Sequence, residues 1–244
     1  MAGEVLAATE DGVLVLTLSQ PGRRNALTDA MRGAVIAALS RAAADPATVA
    51  VVLGGAPGAF CAGQDRAELR ALDAARVEGW VRGLGALYDA FRVFPKPAVA
   101  AIGGAAAGAG LQMALCCDRR LGSPAARLLQ PEIRAGIASI MGCFLLSLHV
   151  GQGMNARLSL SGETLGAEDA LAHGLLDELV EEEALLPRAV RAARILAGTD
   201  PVAYAGTKAW LRQMSEPGFR AAIEAGVAAQ ARCVAHGAYR RLLG

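Results

Sequence analysis

The chain has 244 residues, 54% hydrophobic, 4% aromatic and 19% charged, with a formal net charge of +1. That apolar fraction excludes a disordered chain, the lack of a Gly-X-Y period excludes collagen, and near-neutral charge without a basic block leaves no footprint for nucleic acid. With 54 alanines and 29 glycines, about a third of the residues carry a methyl group or nothing as side chain, so backbone must pack closely against itself or against a ligand.

Met1–Glu10 has neither a basic run nor an apolar one, and no secretory signal is expected there. Val5–Thr9 and Val13–Leu18 are β-rich runs around Glu10-Asp11-Gly12, so a hairpin opens the chain. Thr28 is an N-cap, with Met31, Val35, Ile36 and Leu39 following at helical spacing as far as Asp45-Pro46. Val49–Leu53 reads as a buried strand before Gly54-Gly55, and about Arg66 to Phe94 reads as helix. Pro95-Lys96-Pro97 stops it, and Ala98–Ile102 is a second buried strand feeding a glycine loop and then a helix from near Ala109 to Cys117. Strands near Arg119–Gly122 and Leu128–Gln130 and helices around Ile140–His149 and Asn155–Leu160 continue the alternation. From Glu181 onward helices are expected over Glu183–Ala197, Pro201–Met214 and Pro217–Val234, the last two separated at Glu216-Pro217-Gly218. Strands alternating with helices, then helices alone, predict an α/β fold with an appended helical segment.

The stretch Ala98–Cys117 runs twenty residues without a charge, the length of a membrane span. Twelve of its residues are Ala or Gly and Gln112 lies inside it, so it reads instead as strand, tight loop and helix, and no membrane association is expected. The five cysteines (Cys61, Cys116, Cys117, Cys143 and Cys233) are odd in number and match no C-x-x-C spacing, and His149, His173 and His236 have no metal-ligand spacing. The thiols read as small buried hydrophobes in a reducing cytoplasm, with no metal expected.

Two segments have the composition to expose bare backbone N–H groups: Gly58–Asp65 and Gly103–Gly110, each after a buried strand and before a helix start. Gly108-Ala109-Gly110-Leu111-Gln112-Met113 lacks the last glycine of a dinucleotide fingerprint, and no phosphate-loop lysine follows. At neighbouring strand ends, such loops can each supply one N–H to the same oxyanion. Glu132, in Leu128-Leu129-Gln130-Pro131-Glu132-Ile133, is either a helix-start carboxylate favoured by the macrodipole or an acid–base group. No serine sits in a G-x-S-x-G elbow.

In order along the chain, Asn25-Ala26-Leu27, Phe60–Asp65, Pro95–Gly110, Cys117-Asp118, Pro131–Ile137 and Gly162–Leu175 resemble the crotonase (enoyl-CoA hydratase/isomerase) superfamily. The resemblance covers essentially the whole chain. It implies a spiral of ββα units with a C-terminal helical segment, divided as a core with the acyl-CoA site over 1–195 and an oligomerisation segment over 196–244. It further implies a homotrimer or dimer of trimers and a substrate carried as a coenzyme A thioester, with no separate cofactor. By position, the oxyanion donors fall on the backbone N–H of Gln64 and of Ala109, where the family usually has glycine. The CoA contacts fall along Ala62, Gln64, Asp65 and Arg66, with Arg24 in the Arg23-Arg24-Asn25 turn nearby. The two glutamates of enoyl-CoA hydratases fall on Gln112 and Glu132, so one acid is present and the other is an amide. One carboxylate suffices to move a double bond, taking the proton next to the thioester and returning it two carbons away. The resemblance therefore implies enoyl-CoA isomerisation first. Hydration by Glu132 with a Gln112-held water and a CoA-binding subunit of low activity are the alternatives. Dienoyl-CoA isomerases and aryl-CoA dehalogenases carry an aspartate eight residues further on, where this chain has Ile140.

Overall fold

The computed structural model describes residues 3–242. Strands β1 (Glu4–Glu10) and β2 (Val13–Ser19) form the expected hairpin, closed by Asp11 and Gly12 at φ 48° and 77°. Positive φ at both central residues is the turn geometry whose twist matches paired strands. Helix α1 (Asp29–Ala44) starts at Thr28, whose hydroxyl accepts from the Met31 N–H at 3.2 Å.

The chain then coils. β3 (Ala50–Gly55) is followed by β4 (Ala59–Cys61), then α2 (Arg66–Arg70) and α3 (Val77–Arg92). The next coil is β5 (Ala98–Ile102), β6 (Ala105–Ala107) and α4 (Ala109–Leu115). The third is β7 (Arg119–Gly122) and β8 (Arg127–Leu129), a 3-10 turn over Pro131–Ala135, and helices α5 (Ile140–Ser147) and α6 (Gln152–Ser161). In each coil the first strand joins one sheet and the second joins another. β9 (Thr164–Gly166), α7 (Ala167–Ala172) and β10 (Glu178–Leu179) complete both sheets, in the orders β1-β2-β3-β5-β7-β10 and β4-β6-β8-β9. Among the described residues, only the β1–β2 and β8–β9 pairs are antiparallel. This is the expected α/β spiral.

Stacked coils explain the small residues. At the corner between β5 and β6, a Cβ on Gly104 would lie 3.1 Å from the Gly58 carbonyl oxygen of the coil before it. β6 itself is Ala105-Ala106-Ala107, held between β4 and β8. The central strands β3 and β5 of the larger sheet are buried on both faces, which is why they read as unbroken apolar runs, whereas the edge strand β1 is exposed. Leu16, Val51 and Leu53 belong to one buried cluster, together with Tyr88 and Phe91 of α3, and Val13, Val52 and Val99 belong to a second, together with Ala189 and Val190 of α8 (Glu182–Ala197).

The structure corrects the reading in four places. The helix expected over Arg66–Phe94 is two helices, and the segments read as loops at Gly58–Asp65 and Gly103–Gly110 contain β4 and β6. The elements β9, α7 and β10 lie where none was expected. The helices expected over Pro201–Met214 and Pro217–Val234 are one helix, α9 (Pro201–His236), ahead of α10 (Ala238–Leu242). A proline inside a helix loses one backbone hydrogen bond and costs about 3 kcal/mol. Packing outweighs that here. A Cβ on Gly218 would lie 2.7 Å from Phe144, the Arg92 guanidinium lies 3.9 Å from the Phe219 ring centroid, and Arg92 pairs with Glu216 at 3.1 Å.

Asn25 ties the first coil together at φ 56°. Its Oδ1 accepts from the Gln20 N–H at 2.9 Å, and its Nδ2 donates to the Ala56 and Ala59 carbonyls, both at 2.8 Å. Asn25→Ala removes three buried bonds and leaves three backbone groups unpaired, each costing about 1–3 kcal/mol. A loss of about 3–5 kcal/mol is expected, measured as a melting temperature lowered by roughly 10 °C or more. A shift under 2 °C would mean that water replaces the side chain.

Candidate active site

Adjacent strands β4 and β6 end beside each other, and the loops that follow them meet. Gly63, at φ 90°, leaves no room for a side chain: a Cβ there would lie 2.9 Å from the Ala107 oxygen and 3.9 Å from the Ala109 nitrogen. Leu27 pairs with Gln64 through a bridge that uses the N–H groups of Leu27 and Asp65, not that of Gln64. Ala109 is the first residue of α4, where the N–H has no acceptor within the helix. The two N–H groups singled out in the sequence thus belong to touching loops on one cavity wall.

That cavity has a volume of about 250 Å³, and Ala62, Gln64, Arg66, Ala109, Gln112 and Glu132 all line it. Its apolar wall comes from α3 and α5, with Val81, Leu84 and Met141. The C-terminal helical segment also reaches it, through Gly226 and Gln230 of α9.

Glu132 stands in the 3-10 turn after β8, with Pro131 fixing the turn's start and Gly136 ending it at φ 71°. The carboxylate turns into the cavity. Its Oε1 accepts from Gln112 Nε2 at 2.7 Å, while Oε2 is shielded from solvent and has no hydrogen-bond partner. Gln112 is held in turn, because the Tyr88 hydroxyl donates to its Oε1 at 2.7 Å. Gly108 packs against the acid: a Cβ there would lie 2.8 Å from Glu132 Oε1, and the residue has φ 49°. Burial pushes the Glu132 carboxyl up to about 7, against the opposing pull of its own N–H and of the Gln112 amide. A carboxyl that titrates near neutrality beside two free N–H donors can take and return a proton while the donors hold an oxyanion.

Asp65 and Arg24, expected among CoA contacts, are not among the residues lining the cavity. The Asp65 carboxylate accepts from the Ala67 N–H at 2.8 Å and the Glu68 N–H at 3.3 Å, capping α2, and pairs with Arg23 at 2.6 Å. Burial pushes its carboxyl up, but Arg23 and the two N–H groups together outweigh burial and leave it below its ordinary value. Arg24 is exposed in the left-handed region at φ 51°, and its carbonyl accepts from the Ala62 N–H at 3.0 Å.

Tyr88 and Trp80 were not singled out in the sequence. Both lie in α3, where their spacing is that of any amphipathic helix, and no local pattern marks them. Trp80 Nε1 donates to Gln64 Oε1 at 3.3 Å. All five cysteines are free thiols; Cys61, Cys116 and Cys117 are buried, and burial pushes Cys61 and Cys116 up to about 12, which suits an inert core role. Cys143 is exposed and Cys233 half-buried, so the expectation of five buried thiols is corrected at those two. Among the described residues, no group of three or more His, Cys, Asp or Glu is placed to hold a metal, and no helix is long and apolar enough to cross a membrane.

The site thus gathers two backbone N–H groups, one buried acid and an apolar cavity wall. Residues 8–240 match the model of the enoyl-CoA hydratase/isomerase family, and the chain belongs to that family. Among curated relatives it is 33% identical to a 2,3-dehydroadipyl-CoA hydratase of Escherichia coli, over 92% of this chain and 86% of that one. It is 33% identical to a carboxymethylproline synthase of Pectobacterium carotovorum, over 84% and 82%. Among solved structures, an enoyl-CoA hydratase/isomerase from Xanthobacter autotrophicus superposes with a TM-score of 0.86 at 30% identity, covering 94% of this chain and 87% of that one.

Proposed function

We propose that this acyl-CoA enzyme shifts the double bond of an enoyl-CoA from C3–C4 to C2–C3, with Glu132 as its single acid–base group. Ionised Glu132 takes a proton from C2. The electron pair moves onto the thioester oxygen, where the N–H groups of Gln64 and Ala109 hold the charge. The same carboxyl then returns the proton at C4, so that atoms and charge balance within one substrate. Ala62 and Arg66, at the cavity wall, are the proposed contacts for the CoA portion.

One observation carries the choice of isomerisation. Gln112 spends its carbonyl end on Tyr88 and an amide hydrogen on Glu132, which leaves Glu132 Oε2 as the carboxylate oxygen without a hydrogen-bond partner. Hydration divides its work between two acids, one handling the water and one the carbon, and an amide cannot take the second part. The names of the hydratase relatives favour the other reading, in which Gln112 only holds the water.

The two readings separate when trans-2-enoyl-CoA and 3-enoyl-CoA esters of several chain lengths are supplied singly. Conversion of the 3-enoyl ester to its 2-enoyl isomer at a kcat/KM at least tenfold above that for hydration is expected. Faster formation of 3-hydroxyacyl-CoA would reverse the assignment.

A further inference from the structure

The Tyr88–Gln112–Glu132 chain has a direction that the acid alone does not set. A carboxamide can present either end to Glu132. With its N–H₂ end forward it stabilises the ionised acid; with its oxygen forward it needs a protonated one. Tyr88 is fully buried, and burial holds its hydroxyl well above the ordinary tyrosine value, so it stays neutral and carries a proton that needs an acceptor. Among the described residues, the acceptor the structure gives it is Gln112 Oε1. Were the amide reversed, Nε2 would face the Tyr88 oxygen and the phenolic proton would lose that acceptor.

We propose that Tyr88 is a positioning residue: by donating to Gln112 Oε1 it turns the carboxamide's N–H₂ end toward Glu132, holding one carboxylate oxygen and leaving the other, Oε2, without a hydrogen-bond partner. This rests on the reading of Glu132 as the acid–base group. Few charges compete for control of that acid. Tyr88 faces it from α3, the neutral Cys61 thiol lies in β4, and Arg66 and Arg134 line the cavity. The Arg134 guanidinium is drawn away, donating through Nε to the Ser161 carbonyl at 2.7 Å. The wall residues of α5 and α9 are uncharged.

The test uses the full chain with Tyr88→Phe, Gln112→Met and the double variant, each checked for folding by thermal melting. The Glu132 carboxyl is followed by NMR with ¹³C-labelled glutamate, assigned by its loss in Glu132→Gln. Tyr88→Phe keeps the ring but frees the amide to turn, so the Glu132 titration should rise by about one unit, a tenfold change in its ionisation constant. Turnover of the preferred enoyl-CoA should lose several-fold in kcat with KM within about twofold, and the acid limb of kcat/KM should move to higher pH with the NMR titration. Gln112→Met should raise the titration by itself, and adding Tyr88→Phe should raise it no further, because the group that Tyr88 orients is gone. An unmoved titration in Tyr88→Phe, or shifts that add in the double variant, overturns the inference. Full turnover in Glu132→Gln would instead overturn the catalytic reading, and the NMR result would still decide whether Tyr88 orients the acid.

Discussion

Glu132→Gln should lower kcat/KM by about 10²–10⁴ while making the protein more stable at pH 8. General acid–base groups contribute on that scale, and here one group is asked to move both protons. The substitution preserves shape and keeps an oxygen for the Gln112 amide to reach at 2.7 Å, so lost activity reports lost ionisation and not a collapsed pocket. Unchanged turnover would make Glu132 a turn residue and would mean that the reaction does not use its carboxyl. Activity of the unaltered enzyme should rise through pH 7, because the base must be ionised to take the first proton and burial holds its carboxyl at about 7.

The stability part follows from the same burial. An ordinary glutamate in the unfolded chain titrates at 4.5, and Glu132 in the folded protein at about 7. Between those values the folded state binds more protons than the unfolded one, so this group's contribution is fully present below pH 4.5 and is lost as pH rises through 7. The loss amounts to something on the order of 3 kcal/mol. His149 runs the other way: burial lowers it to about 4, so its contribution is present above pH 6.5 and fades as pH falls. Opposing slopes mask each other in the wild-type curve, whereas the difference between Glu132→Gln and wild type isolates the glutamate. That difference should be near zero at pH 4.5, grow up to pH 7 and stay flat above it, in melts or denaturant titrations. A difference independent of pH would mean that the carboxylate is hydrated although the structure shields its Oε2 from solvent.

Where local chemistry decides structure, the sequence was readable. Asp11-Gly12 specifies the hairpin because its turn needs positive φ twice, and Thr28 caps α1 because its hydroxyl reaches an N–H three residues on. Apolar runs of five or six residues showed β3 and β5. β4 and β6 escaped because three-residue strands rich in alanine have neither periodicity nor β-propensity, and they exist only because coils stack. Pro217 misled for the mirror-image reason: a strong local breaker is overruled by the burial of Phe219 and Ile223 on α3 and α5. The site divides the same way. Glu132, Gln112 and the two N–H loops were legible through the family resemblance, and the cavity collects them. Tyr88 lies 24 residues before Gln112 in an ordinary helical pattern, and only the fold brings it within 2.7 Å. The resemblance placed Asp65 beside CoA, whereas the geometry uses it to cap α2, a role its residue type allows at any helix start.

Gln112→Glu should raise hydration of a trans-2-enoyl-CoA at least tenfold over wild type. The exchange places a second carboxyl about 2.7 Å from Glu132 Oε1, with the Tyr88 hydroxyl already directed at its other oxygen. Two carboxylates at that distance cannot both ionise near neutrality, so the pair holds one proton between them and titrates as a unit. One ionised and one protonated member is the combination hydration requires: a base for the water attacking C3 and an acid for the proton arriving at C2. The second ionisation is pushed far above the ordinary range, so stability should fall more steeply with rising pH than in the wild type. Formation of 3-hydroxyacyl-CoA over pH 5.5–8.5, with CoA-ester affinity measured alongside, checks both effects. Unchanged hydration with affinity intact would show that the wall of Val81, Leu84 and Met141 leaves no space for the water, so that the shape of the cavity and not the amide at 112 limits hydration.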